Sequence, residues 1–250
     1  MIELRIENGI AWLTLNRPEV LNAMDLDSVR AFGGHLDGIR GRKDVRVVVT
    51  GGAGRAFCAG SDLKELAPLT AERAAEAERL HADAFAKLDD IQQPSIAMLH
   101  GHVLGGGVGL AAYHDFRIAA ESARLGMPEV ELGWTPPWGL GRLVDVAGGA
   151  AARWIAMGCE TVTGEEAKGL GLVHECVADD ALRDRVRTFA ARLASFPPAA
   201  LRETRRLLNR ISSARDARWD AAASEAFETC FGTEEARANM AAFMARKKDR

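Results

Sequence analysis

Several features that mark other classes of protein are missing from this sequence of 250 residues. Its four cysteines are far apart and lack the spacing of a zinc site or a disulfide framework. Lys and Arg number 32 against 35 Asp and Glu, so no broad positive surface is expected to hold nucleic acid. No apolar run approaches the roughly 20 residues of a membrane-spanning helix, and no signal-peptide core opens the chain. We therefore expect a cytoplasmic protein with no metal site and with neither nucleic acid nor membrane as a partner.

The N-terminal half has the pattern of a sheet whose strands alternate with helices. Two segments of alternating apolar and polar residues flank Asn8-Gly9, which predicts a β-hairpin. A β-branched run at 45–50 predicts a strand buried on both faces, 95–99 is predicted as a further strand, and a helical pattern at 71–91 separates the two. This alternation predicts an α/β fold with parallel strands and right-handed crossovers.

The C-terminal part of the chain is predicted to be helical. From Gly139 onward helical patterns dominate, and we place a boundary that leaves a core at 1–178 and a helical region at 179–250. A helical region with little core of its own usually covers either its own active site or a neighbouring subunit. Its four predicted helices begin near Asp179, Pro198, Ala217 and Glu234.

Two turns rich in small residues, at 56–62 and 100–107, each follow a strand-like run. Glycine and alanine leave the backbone N–H groups open to a ligand, and glycine also permits the positive φ angles of a tight turn. Donors of this kind stabilise negative charge that develops on a carbonyl oxygen. Close packing of a strand on a helix also requires glycine, but the presence of two such turns favours an oxyanion hole.

Six short segments of the sequence together form an ordered set of motifs. The segments are Leu15-Asn16-Arg17-Pro18 with Leu21-Asn22-Ala23, 56–62, Gly105-Gly106-Gly107, Gly126-Met127-Pro128-Glu129, Gly133, and Thr163-Gly164 with Ala167 and 169–173. In these motifs and their order the chain resembles the crotonase family of enoyl-CoA hydratases and isomerases. The resemblance implies a crotonase-type ββα spiral core at 1–178, a C-terminal helical trimerisation region at 179–250, and homotrimers that often pair into hexamers.

The same resemblance implies an acyl-CoA thioester as the substrate and assigns roles within the site. The amides of Ala59 and Gly106 would hold the thioester oxygen, and Glu129 would carry protons. Coenzyme A is then part of the substrate, and no separate cofactor is implied. The other residues expected to contact the acyl-CoA are Ala23, Ala56, Cys58, Gly60, Asp62, Leu63, Gly105, Gly109, Trp134 and Pro137.

Position 109 departs from the family pattern. Typical hydratases carry one glutamate in the helix after the glycine run, where this chain has Gly109, and a second one where Glu129 stands. Because one carboxylate is enough to move a proton between two carbons, the sequence favours double-bond isomerisation of an enoyl-CoA. The missing side chain also predicts extra room for a bulky or aromatic acyl group.

Two alternatives to isomerisation remain open. The first is hydration, with or without carbon–carbon cleavage, of a bulky or aromatic enoyl-CoA, because 4-hydroxycinnamoyl-CoA hydratase-lyases also lack that acid and share a turn like the one at 133–137. The carboxylate that a dienoyl-CoA isomerase adds would fall at Pro137, which excludes that mechanism. The second alternative is a catalytically silent scaffold or CoA-binding protein, which Gly109 favours and the retained Glu129 opposes.

A few other polar residues are weaker candidates. Glu131 would share a face with Glu129 if the segment is extended, although the family assigns it no role. Arg17 and Lys247-Lys248 are candidates for the phosphates of coenzyme A. Structural roles are expected for the histidines beside the glycine run, which are His100, His102 and His114.

Two further assignments stay open at this point. Asp62 either lines the CoA site or only caps a helix that begins near Leu63. Trp134 and Trp138 either stack on an aromatic acyl group or fill the core.

Overall fold

The chain begins with the predicted β-hairpin, in a computed structural model that describes residues 1–212 and 217–246. Strands β1 (Ile2–Glu7) and β2 (Ile10–Leu15) pair in antiparallel fashion. Asn8 and Gly9 join them with φ angles of 52° and 76°, the left-handed conformation that a tight primed turn requires.

The hairpin is followed by repeated ββα units. The remaining strands within the described residues are β3 (Val47–Gly52), β4 (Ala56–Cys58), β5 (Ser95–Leu99), β6 (His102–Leu104), β7 (Phe116–Ala120), β8 (Arg124–Gly126), β9 (Val162–Thr163) and β10 (Glu175–Val177).

Each of three successive units places one strand in each of two sheets. A six-stranded sheet has the order β1-β2-β3-β5-β7-β10 and is parallel from β2 onward. A four-stranded sheet has the order β4-β6-β8-β9. The ends of β4 and β6 are therefore neighbours, and the two turns rich in small residues meet there.

The helices fill the connections and the C-terminal part of the chain. The helix starts predicted near Pro198, Ala217 and Glu234 are confirmed, and the one near Asp179 is found at Leu182 after a short 3-10 turn. No helix in the described part of the chain is long and apolar enough to cross a membrane. The helices there are α1 (Leu26–Ile39), α2 (Leu63–Leu66), α3 (Ala71–Asp90), α4 (Gly106–Tyr113), α5 (Leu140–Ala156), α6 (Gly164–Gly169), α7 (Leu182–Ser195), α8 (Pro198–Ile211), α9 (Ala217–Phe231) and α10 (Glu234–Arg246).

The C-terminal helices pack in two different places. Helix α7 buries an apolar stripe in a core cluster with residues of β3, β5 and β7. The core therefore extends beyond the boundary predicted at residue 178. Helices α9 and α10 instead pack beside α3, where Phe227 and Phe231 surround Trp134 at centroid distances of 6.4 and 5.2 Å. These two helices therefore cover the part of the core that contains Trp134.

Candidate active site

Most of the residues predicted for the site surround one cavity of about 210 Å³. It lies where the β4 turn, the start of α4 and the 127–138 segment meet, and α3 and α10 close its sides with Glu78 and Phe243. The predicted residues that line it are Ala23, Ala59, Gly60, Asp62, Leu63, Gly105, Gly106, Glu129, Trp134 and Pro137.

Three predicted contact residues, Ala56, Cys58 and Gly109, are absent from this lining in the described structure. Ala56 is fully buried, and its carbonyl oxygen accepts a hydrogen bond from Asn22 Nδ2 at 2.7 Å. Burial also raises the pKa of the Cys58 thiol to about 12, so this cysteine is an inert core residue. These residues shape the turn beneath the cavity.

The three glycines of the run are required for three different contacts. Gly105 has a φ of +54°, and a Cβ there would lie 2.9 Å from Glu129 Oε1. A Cβ on Gly106 would lie 3.0 Å from the Trp138 ring, and one on Gly107 would overlap the Cys58 carbonyl oxygen. The run therefore brings the start of α4 against β4, the glutamate and the tryptophan at once.

Backbone amides without an acceptor among the described residues occur on both sides of this contact. Helix α4 begins at Gly106, and the N–H groups of Gly106 and Gly107 donate to no acceptor within the described residues. Gly60 adjoins it, because a Cβ built on Gly60 would lie 3.1 Å from the Gly106 nitrogen. The Ser61 N–H, next to Gly60, donates to no acceptor within the described residues.

The prediction that Ala59 supplies one of the donors is wrong. Its N–H donates to the Leu21 carbonyl oxygen at 3.0 Å. The residues on either side of Ser61 are also held by the 21–24 loop, through Met24 N–H to Gly60 O at 2.8 Å and Asp62 N–H to Met24 O at 2.9 Å. This parallel pairing leaves the Ser61 amide as the open donor of the turn, and sequence alone does not show which amides a distant loop occupies.

Glu129 is the most perturbed carboxyl group of the cavity. It is 7% exposed, and Oε2 has no hydrogen-bond partner among the described residues. Burial, with a smaller contribution from the charge of Glu78, raises its pKa to about 8. The carboxyl group therefore holds its proton at neutral pH and is close to the point at which it can act as either an acid or a base.

The segment that carries Glu129 is not extended, as a face shared by Glu129 and Glu131 would require. Strand β8 ends at Gly126, and the N–H groups of Leu132 and Trp134 both donate to the Glu129 carbonyl oxygen at 3.1 Å. This turn buries Glu129 and leaves Glu131 exposed. The two carboxylates therefore do not share a face.

The room predicted beside Gly109 is filled by Trp138. A Cβ built on Gly109 would overlap Trp138 Cζ3 and would lie 3.1 Å from Cε3. The ring is 2% exposed and packs against Phe85, at a centroid distance of 5.2 Å. Trp134 and Trp138 thus both fill the core, one of the two roles left open for them, and both also line the cavity.

One carboxylate that lines the cavity, that of Glu78, was not predicted from the sequence. Glu78 lies on the buried face of α3, is 2% exposed and accepts a hydrogen bond from Trp138 Nε1 at 2.7 Å. The only sequence signal is a glutamate at a position that helical periodicity would give to an apolar residue. Its importance depends on a contact across 60 residues of sequence.

The candidate phosphate-binding residues are otherwise engaged or lie outside the described residues. Arg17 pairs with Asp25 at 3.2 Å and with Asp62 at 3.1 Å. Asp62 also caps α2 by accepting from the Lys64 N–H. Lys247 and Lys248 lie outside the described residues.

Within the described part of the chain, neither the histidines beside the glycine run nor any cluster of metal-ligating side chains forms a second candidate site. His114 is held by Leu110 O at 2.9 Å and Thr50 Oγ1 at 2.8 Å, and burial lowers its pKa to about 4. His100 lies 3.0 Å from the Gly54 carbonyl oxygen. No group of three or more metal-ligating side chains occurs among the described residues.

The packing of Trp138 on Gly109 predicts the result of adding a methyl group there. Gly109→Ala should lower the free energy of unfolding by about 1–3 kcal/mol, because the ring and its buried neighbours would have to move. Urea unfolding measures this change. Gly34→Ala is the matched control, since a Cβ at this exposed position of α1 meets no heavy atom within 4 Å. Equal stability of the two variants would contradict the packing described.

The buried Glu129 carboxyl predicts a pH-dependent stability. The unfolded chain ionises this group near its ordinary pKa of 4.5 and the folded chain near 8, so stability falls as pH rises between these values. Glu129→Gln removes that loss and should raise the free energy of unfolding by about 1–3 kcal/mol at pH 8, with little change at pH 5. Thermal or urea unfolding at both pH values measures it. Glu131→Gln, the exposed neighbour, should show no such pH-dependent gain.

Comparison with known proteins agrees with this architecture. The enoyl-CoA hydratase/isomerase family model matches residues 5–250. A short-chain-enoyl-CoA hydratase of Clostridium acetobutylicum is 32% identical over 247 residues, which are 98% of this chain and 95% of that protein. An (E)-benzylidenesuccinyl-CoA hydratase of Thauera aromatica is 33% identical over 209 residues, which are 82% of this chain and 80% of that protein.

A solved structure shows the same fold. The crystal structure of an enoyl-CoA hydratase/isomerase from Xanthobacter autotrophicus is 28% identical, with a TM-score of 0.89, and the match covers 98% of this chain and 93% of that one. The ββα units, the paired small-residue turns and the C-terminal helices are thus parts of a known architecture. The chain belongs to the enoyl-CoA hydratase/isomerase family, also called the crotonase family.

Proposed function

We propose that this protein isomerises the double bond of an enoyl-CoA thioester, moving it from C3 to C2 through an enolate. Coenzyme A is part of the substrate in this proposal, and the reaction requires no further cofactor. The observation that carries the proposal is the buried carboxyl group of Glu129, whose Oε2 has no partner among the described residues, beside the open amides at the start of α4.

The enolate is stabilised by backbone donors. Removal of a proton from C2 places negative charge on the thioester oxygen, and we assign its two donors to the N–H groups of Ser61 and Gly106. Fixed donors in a cavity with mainly apolar walls stabilise that charge more than they stabilise the neutral thioester, so they lower the barrier. Gly60 and Gly105 have no side chain that would block the approach of the substrate.

Glu129 moves the proton. Its ionised form removes a proton from C2 and its protonated form returns one to C4, so one carboxyl group completes the reaction. Because the free group loses its proton near pH 8, kcat/KM for isomerisation should rise with pH through that region. Its missing hydrogen bond supports this role, since a buried polar group without a partner costs stability and is retained where it has a function.

Hydration of a 2-enoyl-CoA is the second candidate reaction. It is favoured by Glu78, which supplies a second carboxylate to the cavity, and by the hydratase names of relatives such as the one from Clostridium acetobutylicum. Here protonated Glu129 would donate a proton to C2, so kcat/KM should fall above about pH 8. The benzylidenesuccinyl-CoA hydratase supports a bulky substrate, but the space expected for one at Gly109 is occupied by Trp138.

We also propose that the chain forms homotrimers, alone or paired into hexamers. The support is a group of exposed apolar residues on α8, where Leu208 is 62% and Ile211 is 79% exposed. Sedimentation should then give three or six times the mass of one chain, and Leu208→Asp should reduce that mass. A wild-type protein that sediments as a monomer would overturn this proposal.

The isomerisation proposal is tested with 3-enoyl-CoA and 2-enoyl-CoA thioesters of several chain lengths. Isomerisation raises the absorbance of the conjugated thioester without changing the mass, whereas hydration removes that absorbance and adds one water. Glu129→Gln should lower either activity by about 100-fold to 10,000-fold, and Glu131→Gln should leave both near the wild-type value. Absence of turnover on every thioester, with binding retained, would instead favour a catalytically silent protein.

A further inference from the structure

Glu78 is an unusual residue for the place it occupies. Helix α3 buries a face of mostly small and apolar residues against its neighbours, among them Ala74, Ala77 and Phe85, and Glu78 lies on that face. Glutamate is rarely buried unless it is paired with a cation or a metal. Among the described residues Glu78 has neither an arginine nor a lysine within ion-pair distance.

The contacts of Glu78 leave one oxygen free for a ligand. Trp138 Nε1 donates to Oε2 at 2.7 Å, and His81 Nδ1 lies 4.0 Å from the same oxygen. The two ring nitrogens of His81 lie near backbone carbonyl oxygens, those of Ala77 at 2.9 Å and Met24 at 3.2 Å, and an imidazole N–H is able to donate to either. Oε1 of Glu78 accepts no hydrogen bond from any residue in the described part of the chain.

A continuous set of contacts links Glu78 to Glu129. Glu129 lies against Gly105, the next glycine lies against the Trp138 ring, and that ring donates to Glu78. Both carboxyl groups line the same cavity, and the charge of Glu78 acts on Glu129. The third titratable residue of the lining, Asp62, is paired with Arg17 at 3.1 Å.

We propose that Glu78, held by Trp138, is the second carboxylate of the active site and binds the water that adds to C3 of a 2-enoyl-CoA. In this proposal the second carboxylate of the site comes from α3, because α4 has Gly109 at the position where typical hydratases carry a glutamate. This inference rests on the proposed enolate chemistry and assigns its second reaction, hydration, to a specific residue.

The hydration step balances with these two groups. Glu78 removes a proton from water as the oxygen bonds to C3, and the electrons of the C2–C3 double bond move onto the thioester oxygen as an enolate. Protonated Glu129 then donates its proton to C2 as the carbonyl re-forms. The product is a 3-hydroxyacyl-CoA, and exchange with solvent returns a proton to Glu129 and removes one from Glu78.

The two carboxyl groups suit these opposite tasks. Glu129 lacks a hydrogen-bond donor at Oε2, and its raised pKa keeps it protonated at neutral pH as the acid. Glu78 accepts the indole N–H of Trp138 at Oε2, which fixes the carboxylate and leaves Oε1 open to a water molecule. A cavity with polar groups on two sides is also able to hold one ordered water.

The test is the ratio of hydration to isomerisation in Glu78→Gln. We expect this variant to lower kcat/KM for hydration of 2-enoyl-CoA about 100-fold more than for isomerisation of 3-enoyl-CoA. Glu129→Gln should lower both together. Glu76→Gln, an exposed glutamate of the same helix, is the matched control and should leave the ratio at its wild-type value.

Trp138→Phe keeps most of the ring and removes the indole donor, so it should lower the same ratio while the melting temperature confirms folding. If folded Glu78→Gln hydrates as fast as wild type, or loses both activities equally, the proposal is overturned. Wild-type protein that isomerises without hydrating would also overturn it, while the isomerisation proposal would stand. Wild-type protein that performs neither reaction would overturn the proposed function itself.

Discussion

The packing of the Trp138 indole between the glycine run and α3 is the contact on which the site depends. Its ring covers Gly106 and Gly109, and its N–H donates to Glu78 at 2.7 Å. A Cβ on Gly109 would overlap that ring, one on Gly106 would lie 3.0 Å from it, and the ring leaves no room for a longer side chain at 109. One side chain therefore sets the cavity wall, the residue type at position 109 and the position of a buried carboxylate.

The electrostatics of the cavity follow from this enclosure. Apolar walls make it costly to ionise Glu129, whereas the open amides of the two turns favour negative charge at a neighbouring point. Under the proposed function, charge that is unfavourable on the free carboxyl group is favoured on the thioester oxygen. The proposed proton transfer from substrate to Glu129 would then move negative charge toward the donors that stabilise it.

Local patterns in the sequence predicted the hairpin, the parallel strands and most helix starts, because hydrophobic period and turn chemistry act over a few residues. The family motifs placed Gly106 and Glu129 in one predicted site, and both residues line the cavity. The errors arose where distant segments meet. The Ala59 N–H was predicted to be a free donor, because nothing in the local sequence shows that the Leu21 carbonyl oxygen accepts it. Gly109 suggested a void because nothing local shows where the Trp138 ring lies.

A missing catalytic residue in this fold is therefore weak grounds for assuming a missing reaction step. The ββα spiral brings side chains from α3, α4 and the 127–138 segment to a single cavity. A carboxylate lost from one element is replaceable by one from another, provided that the space left behind is filled and the new group is held. Trp138 meets both conditions, since it occupies the volume above Gly109 and donates to Glu78. Which reaction such a site favours depends on the element that supplies the second carboxylate, and so on where water is held relative to C3.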